Sequence, residues 1–97
     1  MKIEFQWDEG KAASNLRKHN ISFAEATEVF FDPRAVSYPD EFHSVEDERS
    51  ITIGLCTKLR ILLVVHTDID GIDGDVTIRI ISARKATPKE CTAYEKR

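Results

Sequence analysis

Residues 2–7 alternate, with Ile3, Phe5 and Trp7 on one side and Lys2, Glu4 and Gln6 on the other. A period of two predicts a half-buried strand. The pattern changes at Asp8, a helix N-cap residue. From Lys11 to His19 the small or apolar residues Ala12, Ala13 and Leu16 recur at helical spacing, and Asn20 tolerates the left-handed backbone that closes a helix. Ser22-Phe23-Ala24-Glu25 fits a capping box with Ile21 as its hydrophobic staple. A short helix is predicted there, with Ala26, Val29 and Phe30 inward, ended by Asp32-Pro33. Ala35 to Tyr38 reads as a short edge strand, and Pro39 to Glu48 as an exposed acidic loop.

Three strands follow. Arg49 to Cys56 sets Ile51, Ile53 and Leu55 against Thr52 and Gly54. Arg60 to Thr67 is apolar on both sides, as a central strand is. Val76 to Ser82 sets Val76, Ile78 and Ile80 against Thr77, Arg79 and Ile81. The short links predict antiparallel hairpins. Thr87-Pro88-Lys89-Glu90 combines a capping box with Pro at the first helical position, so a last helix runs from Thr87 to Arg97. The expected fold is α+β: one domain over residues 1–97, with an antiparallel sheet of three to four strands. Two N-terminal helices and a C-terminal helix cover one face.

Composition adds one fact. The net charge is −3, yet residues 1–48 carry five Lys and Arg against eleven Asp and Glu, while residues 76–97 carry six against two. A basic end on an acidic chain can meet a polyanion locally, although a solvated terminal helix gives the same count. The longest apolar run, Ile61 to Val65, is too short to cross a bilayer, and the N-terminus enters alternating structure without a signal segment. A cytoplasmic location is expected. Cys56 and Cys91 stand alone, which favours free thiols over a disulfide or zinc site.

The loop Asp68 to Asp75 has the composition of a calcium loop, but Asp73 and Arg79 occupy the places where an EF-hand needs glycine and glutamate. It reads as a hairpin tip. Candidate chemistry lies in cations and histidines. Arg79 interrupts an apolar strand, so it faces water, pairs with a carboxylate or lines a site. If the strand stays extended, Arg84 lies on the side opposite Arg79. His66, near the end of the central strand, is a candidate acid or base, or a half-buried histidine satisfied by its neighbours. Arg49 follows an acidic run that offers it a local ion pair. Lys18 and His19 end the first helix, where cations complement its dipole. Such groups suit cleavage of an RNA phosphodiester. The 2′-OH attacks phosphorus once a base takes its proton, arginine stabilises the phosphoryl charge, and an acid protonates the leaving oxygen.

Phe5-Gln6-Trp7-Asp8-Glu9 with Lys11, Asn15, Lys18-His19 and Ile21 to Ala26 resembles the opening of the BrnT toxins. Arg49, Ile53-Gly54, Val64 to Thr67, Arg79 to Ala86, Glu90 and Tyr94 continue the resemblance through most of the chain. It implies a RelE-like fold and a metal-independent, cofactor-free ribonuclease that blocks translation. Its implied partner is a BrnA-type antitoxin with a ribbon-helix-helix DNA-binding part. The toxin would then form oligomers, and reach operator DNA, through that antitoxin. By position, the resemblance points to Arg79 and Arg84 for phosphate charge, His66 for proton transfer and Arg49 as a further candidate. Lys18, His19, Lys85 and Lys89 would position RNA, Ser82 would hold the strand-to-helix corner and Tyr94 would pack the last helix. The chain departs from the family at Asn20, where glycine is usual. At Ile69 and Cys91 basic residues are common in relatives. A non-catalytic, antitoxin-binding module is the alternative reading.

Overall fold

A computed structural model describes residues 2–41 and 48–96. Strand β1 spans Ile3–Gln6, helix α1 Glu9–His19 and helix α2 Phe23–Thr27, which tightens into a 3₁₀ turn over Glu28–Phe31. Then come β2 Val36–Pro39, β3 Arg49–Leu55, β4 Ile61–Asp70, β5 Val76–Lys85 and α3 Pro88–Glu95. The strands form one mixed five-stranded sheet in the order β1-β5-β4-β3-β2. This corrects the expected three to four strands. The β3–β4–β5 meander is antiparallel as predicted, but β2 adds to one edge and β1 to the other. β1 pairs in parallel with β5, a long-range partnership that no local pattern encodes.

The helices also divide differently from the prediction. α1, α2 and the 3₁₀ turn cover one face, where Ile21, Phe23, Ala26 and Val29 pack against Leu62, Val64, Ile78, Ile80 and Ala83. Trp7 meets Phe23, and Phe5 meets Phe30, as tilted or edge-on ring pairs. α3 lies on the other face, where Tyr94 packs with Ile53 and Leu63. β4 is apolar on both sides over its middle, and β3 adds Ile51 and Ile53 to the second face, so each face needs a cover. α3 is short and shields only part of its face. We call the first face closed and the second half-open.

Local signals hold well at the helix ends. Asp8 accepts the Lys11 N–H at 2.9 Å, and Asn20 closes α1 in the left-handed region at φ 59°. Thr87 and Glu90 form the reciprocal capping box of α3. The box at Ser22 is half made. Ser22 accepts the Glu25 N–H, but the Glu25 carboxylate binds Arg60 and accepts the Cys56 thiol hydrogen instead. A charge-assisted fork from Arg60 outcompetes a local backbone N–H. Burial pushes the Glu25 carboxyl up, but Arg60, Cys56 and Lys58 together hold it below its usual value. Both cysteines are free thiols. Most of the predicted acidic loop, residues 42–47, lies outside the described residues.

Asn15 joins the layers. β1 is short, so the edge of β5 beyond Arg79 has no strand beside it. There the Asn15 side chain accepts the Ala83 N–H at 3.1 Å and donates to the Ala83 carbonyl at 2.8 Å and the Ile21 carbonyl at 3.0 Å. One buried amide thus replaces a missing strand partner and fixes α1 against the sheet.

Candidate functional site

Register decides which candidates meet. Val65 pairs with Ser82 but His66 pairs with Ile80, so Ile81 is an extra residue in β5. This β-bulge resets the alternation. Without it, Arg79 and Arg84 would point to opposite faces. With it, Arg79 pairs with Thr67 and Arg84 with Leu63, both on the half-open face. The expected opposition of the two arginines is therefore corrected, and the cause is the bulge at Ile81.

The half-open face reads as three rows across the strands. The first holds Gln6, Arg79, Thr67 and Arg49; the second Ser82, Val65, Ile51 and Tyr38; the third Arg84, Leu63, Ile53 and Val36. The third row is apolar except for Arg84 and lies under α3. The first is polar and cationic and has no helix over it. Ser82 sits at the bulge itself, beside Val65.

The two β5 arginines differ in state. Arg84 holds Glu90 with two parallel bonds, Nη1 to Oε1 at 2.8 Å and Nη2 to Oε2 at 3.0 Å. Glu90 also caps α3, so this fork pins the helix to the sheet. The Arg84 hydrogen bonds hold the Glu90 carboxyl below its usual value, and Glu90 in turn raises Arg84. Arg79 is half-buried and has no carboxylate within ion-pair reach among the described residues. A guanidinium held in a sheet without an internal anion is available to an external one.

His66 lies elsewhere. It is 2% exposed, on the closed face, with its ring edge-on to Phe30 at a centroid distance of 4.8 Å. Its Nδ1 lies 2.7 Å from Asp68 Oδ1 and its Nε2 2.8 Å from Thr52 Oγ1, which lies 2.7 Å from Ser37 Oγ. An ionised Asp68 is an acceptor only, so it fixes the proton on Nδ1. Nε2 and the Thr52 hydroxyl share one hydrogen bond, and the Thr52 and Ser37 hydroxyls share the next. The sequence reading brought His66 and the arginines to one site; the fold puts them on opposite faces of the sheet. The period-two rule carried the signal, because His66 shares the parity of the core residues Leu62 and Val64.

The other cations are dispersed. Lys18 and His19 are exposed in the last turn of α1, in the layer on the closed face. Lys85 is exposed opposite Leu62. Lys89, in the first turn of α3, lines a groove of about 580 Å³ with Val36, Tyr38, Ile53, Glu90 and Ala93. Tyr94 packs α3 as expected, and its hydroxyl donates to Asp32. Among the described residues no group of His, Cys, Asp and Glu side chains could hold a metal ion, and no helix is long and apolar enough to cross a membrane.

A family model described as the ribonuclease toxin BrnT of type II toxin–antitoxin systems matches residues 7–90. The solved structure of the Brucella abortus ribonuclease toxin BrnT is similar to this fold, with a TM-score of 0.61. That match covers 90% of this chain and 99% of the other at 24% sequence identity, a likeness of fold. No curated protein matches the chain. The family match runs from Trp7 at the end of β1 to Glu90 in α3 and takes in the arginine row, the bulge and the capped start of the last helix: the chain belongs to the BrnT family, the ribonuclease toxins of type II toxin–antitoxin systems.

Proposed function

We propose that this protein is a metal-independent endoribonuclease that holds RNA on the half-open face of its sheet and thereby inhibits translation. The observation that carries the reading is Arg79, a sheet-anchored guanidinium without a carboxylate partner among the described residues, in one row with Thr67 and Arg49. Arg79 takes the scissile phosphate and stabilises the charge that develops on its oxygens as the 2′-OH attacks. Arg49 flanks it in the same row. Arg84 reaches phosphate only by releasing Glu90, so its first role is to hold α3. His66 and Asp68 both face the closed side, so the proton of the 2′-OH passes to solvent water rather than to the imidazole. Lys89 lies on the RNA side of the sheet, while Lys18, His19 and Lys85 reach only RNA that wraps round the β5 edge. The implied kinship with RelE-like toxins belongs to this proposal and has the antiparallel meander with packed helices as its support. So does neutralisation by a BrnA-type antitoxin with a ribbon-helix-helix part.

The test is cleavage of purified RNA by the wild type and by Arg79→Ala, with growth on induction measured in parallel. Arg79→Ala is expected to lose at least tenfold in cleavage with its melting temperature held. Intact RNA and normal growth with the wild type would overturn the proposal. One observation favours the second reading, a non-catalytic module held by an antitoxin: His66 and Arg84 are both satisfied internally. Stable antitoxin binding without cleavage would establish it.

A further inference from the structure

Tyr38 has no part in the chemistry above, and it is 42% exposed. It sits on the edge strand β2 opposite Ile51, so it shares the half-open face with Val65 and Ser82. The arginine row is the next row along the strands, roughly 7 Å away, and Arg79 stands three strands across from Tyr38, about 14 Å to the side. Two clefts flank the ring. One, of about 420 Å³, is lined by Pro39, Asp40, Glu41 and Ile51. The other is the 580 Å³ groove that ends at Lys89 and Glu90. The ring therefore stands as a wall between two open spaces. Each has an aliphatic floor, from Ile51 on one side and from Val36 and Ile53 on the other. Lys89 supplies a cation at the rim of the larger one.

An exposed tyrosine on an edge strand is ordinary by itself, because aromatic residues suit strands. Here position adds to it. A flat ring with free space beside it, continuous with a cationic row, is the arrangement by which single-stranded RNA is held. Phosphates meet guanidinium groups while an unstacked base lies on an aromatic face. A peptide partner would meet the same apolar floor, but Arg79 in the adjacent row, without a carboxylate partner among the described residues, favours a polyanion. We propose that Tyr38 is an RNA-positioning residue, its ring stacking a nucleobase of the strand whose phosphate Arg79 holds. This rests on the reading of the half-open face as the RNA surface.

The experiment measures binding of a short 2′-O-methyl oligonucleotide, which cannot be cleaved through its 2′ oxygen, across a salt series. Tyr38→Ala is expected to weaken binding about five- to a hundredfold, the range for one lost base stack. Tyr38→Phe is expected to stay within about twofold, since stacking needs the ring and not the hydroxyl. The slope of log affinity against log salt is expected to stay unchanged in Tyr38→Ala and to fall by about one in Arg79→Ala. An abasic nucleotide at the stacked position is expected to erase the difference between wild type and Tyr38→Ala. Wild-type affinity in Tyr38→Ala, with Arg79→Ala weakened, would overturn the Tyr38 assignment alone. Loss of antitoxin binding in Tyr38→Ala with RNA binding intact would make the groove a protein seat and overturn it as well. A wild type that binds no RNA would overturn the RNA surface and this assignment together.

Discussion

The two faces of the sheet carry polar residues for opposite ends. On the closed face, Asn15 makes three hydrogen bonds and the imidazole of His66 is bonded at both nitrogens. On the half-open face, Arg84 is held by Glu90 while Arg79 has no carboxylate partner among the described residues. A buried polar group without a partner is costly, so the closed face satisfies its own. The half-open face need not, because water or a ligand reaches it. The same kinds of side chain, on strands of the same sheet, are therefore satisfied internally on one side and open to solvent on the other.

Several changes would break or sharpen this contrast. The largest effect is expected for Asn15→Ala. It strands the Ala83 N–H and two carbonyls and removes the link between α1 and β5. A loss of about 2–4 kcal/mol is expected in urea unfolding. Gly54→Ala comes next. An added Cβ would lie 2.9 Å from the Val29 Cβ and 3.0 Å from the Val29 carbonyl oxygen. The closed face has no slack there, and overpacking is expected to cost about 1–3 kcal/mol. A half-open face that tolerated less than the closed one would refute the contrast.

The arginine pair sharpens it. Arg84→Ala is expected to lose about 1 kcal/mol, as befits a partly exposed bidentate pair. Arg79→Ala is expected to change stability by less than about 0.5 kcal/mol while losing RNA affinity. Acid adds an independent check. The Glu90 carboxyl is held below its usual 4.5 by Arg84. A carboxylate with a lowered folded value contributes stability above its unfolded value, and that contribution is lost as pH falls through the folded one. The stability gap between wild type and Arg84→Ala is therefore expected to close as pH drops below 4.5. A gap constant with pH would mean that the fork does not hold α3.

The last expected effect is a gain in stability and lies away from both faces, in the β3–β4 turn. Leu59 has φ 62° and is 80% exposed. Glycine adopts that backbone without the steric penalty of a Cβ, so Leu59→Gly is expected to raise stability by up to about 1 kcal/mol.

Local order was legible because it is written in adjacent residues. Asp8, Asn20, Ser22 and Thr87 mark helix ends by hydrogen bonds that span three or four positions. The period of two located three of the five strands, and parity along β4 set His66 on the side of Leu62 and Val64. Family membership was legible too, since it rests on residue identity in order. What the sequence left open depended on partners far along the chain. Only the tertiary structure joined β1 to β5 and divided the helices between two faces. It also sent Glu25 to Arg60 instead of its own helix end. The decisive case is Ile81. A bulge is one unpaired residue, invisible until a strand meets its neighbour in register. That single residue brings Arg79 and Arg84 to one face. Packing then gives Arg84 a carboxylate, while Arg79 has none among the described residues.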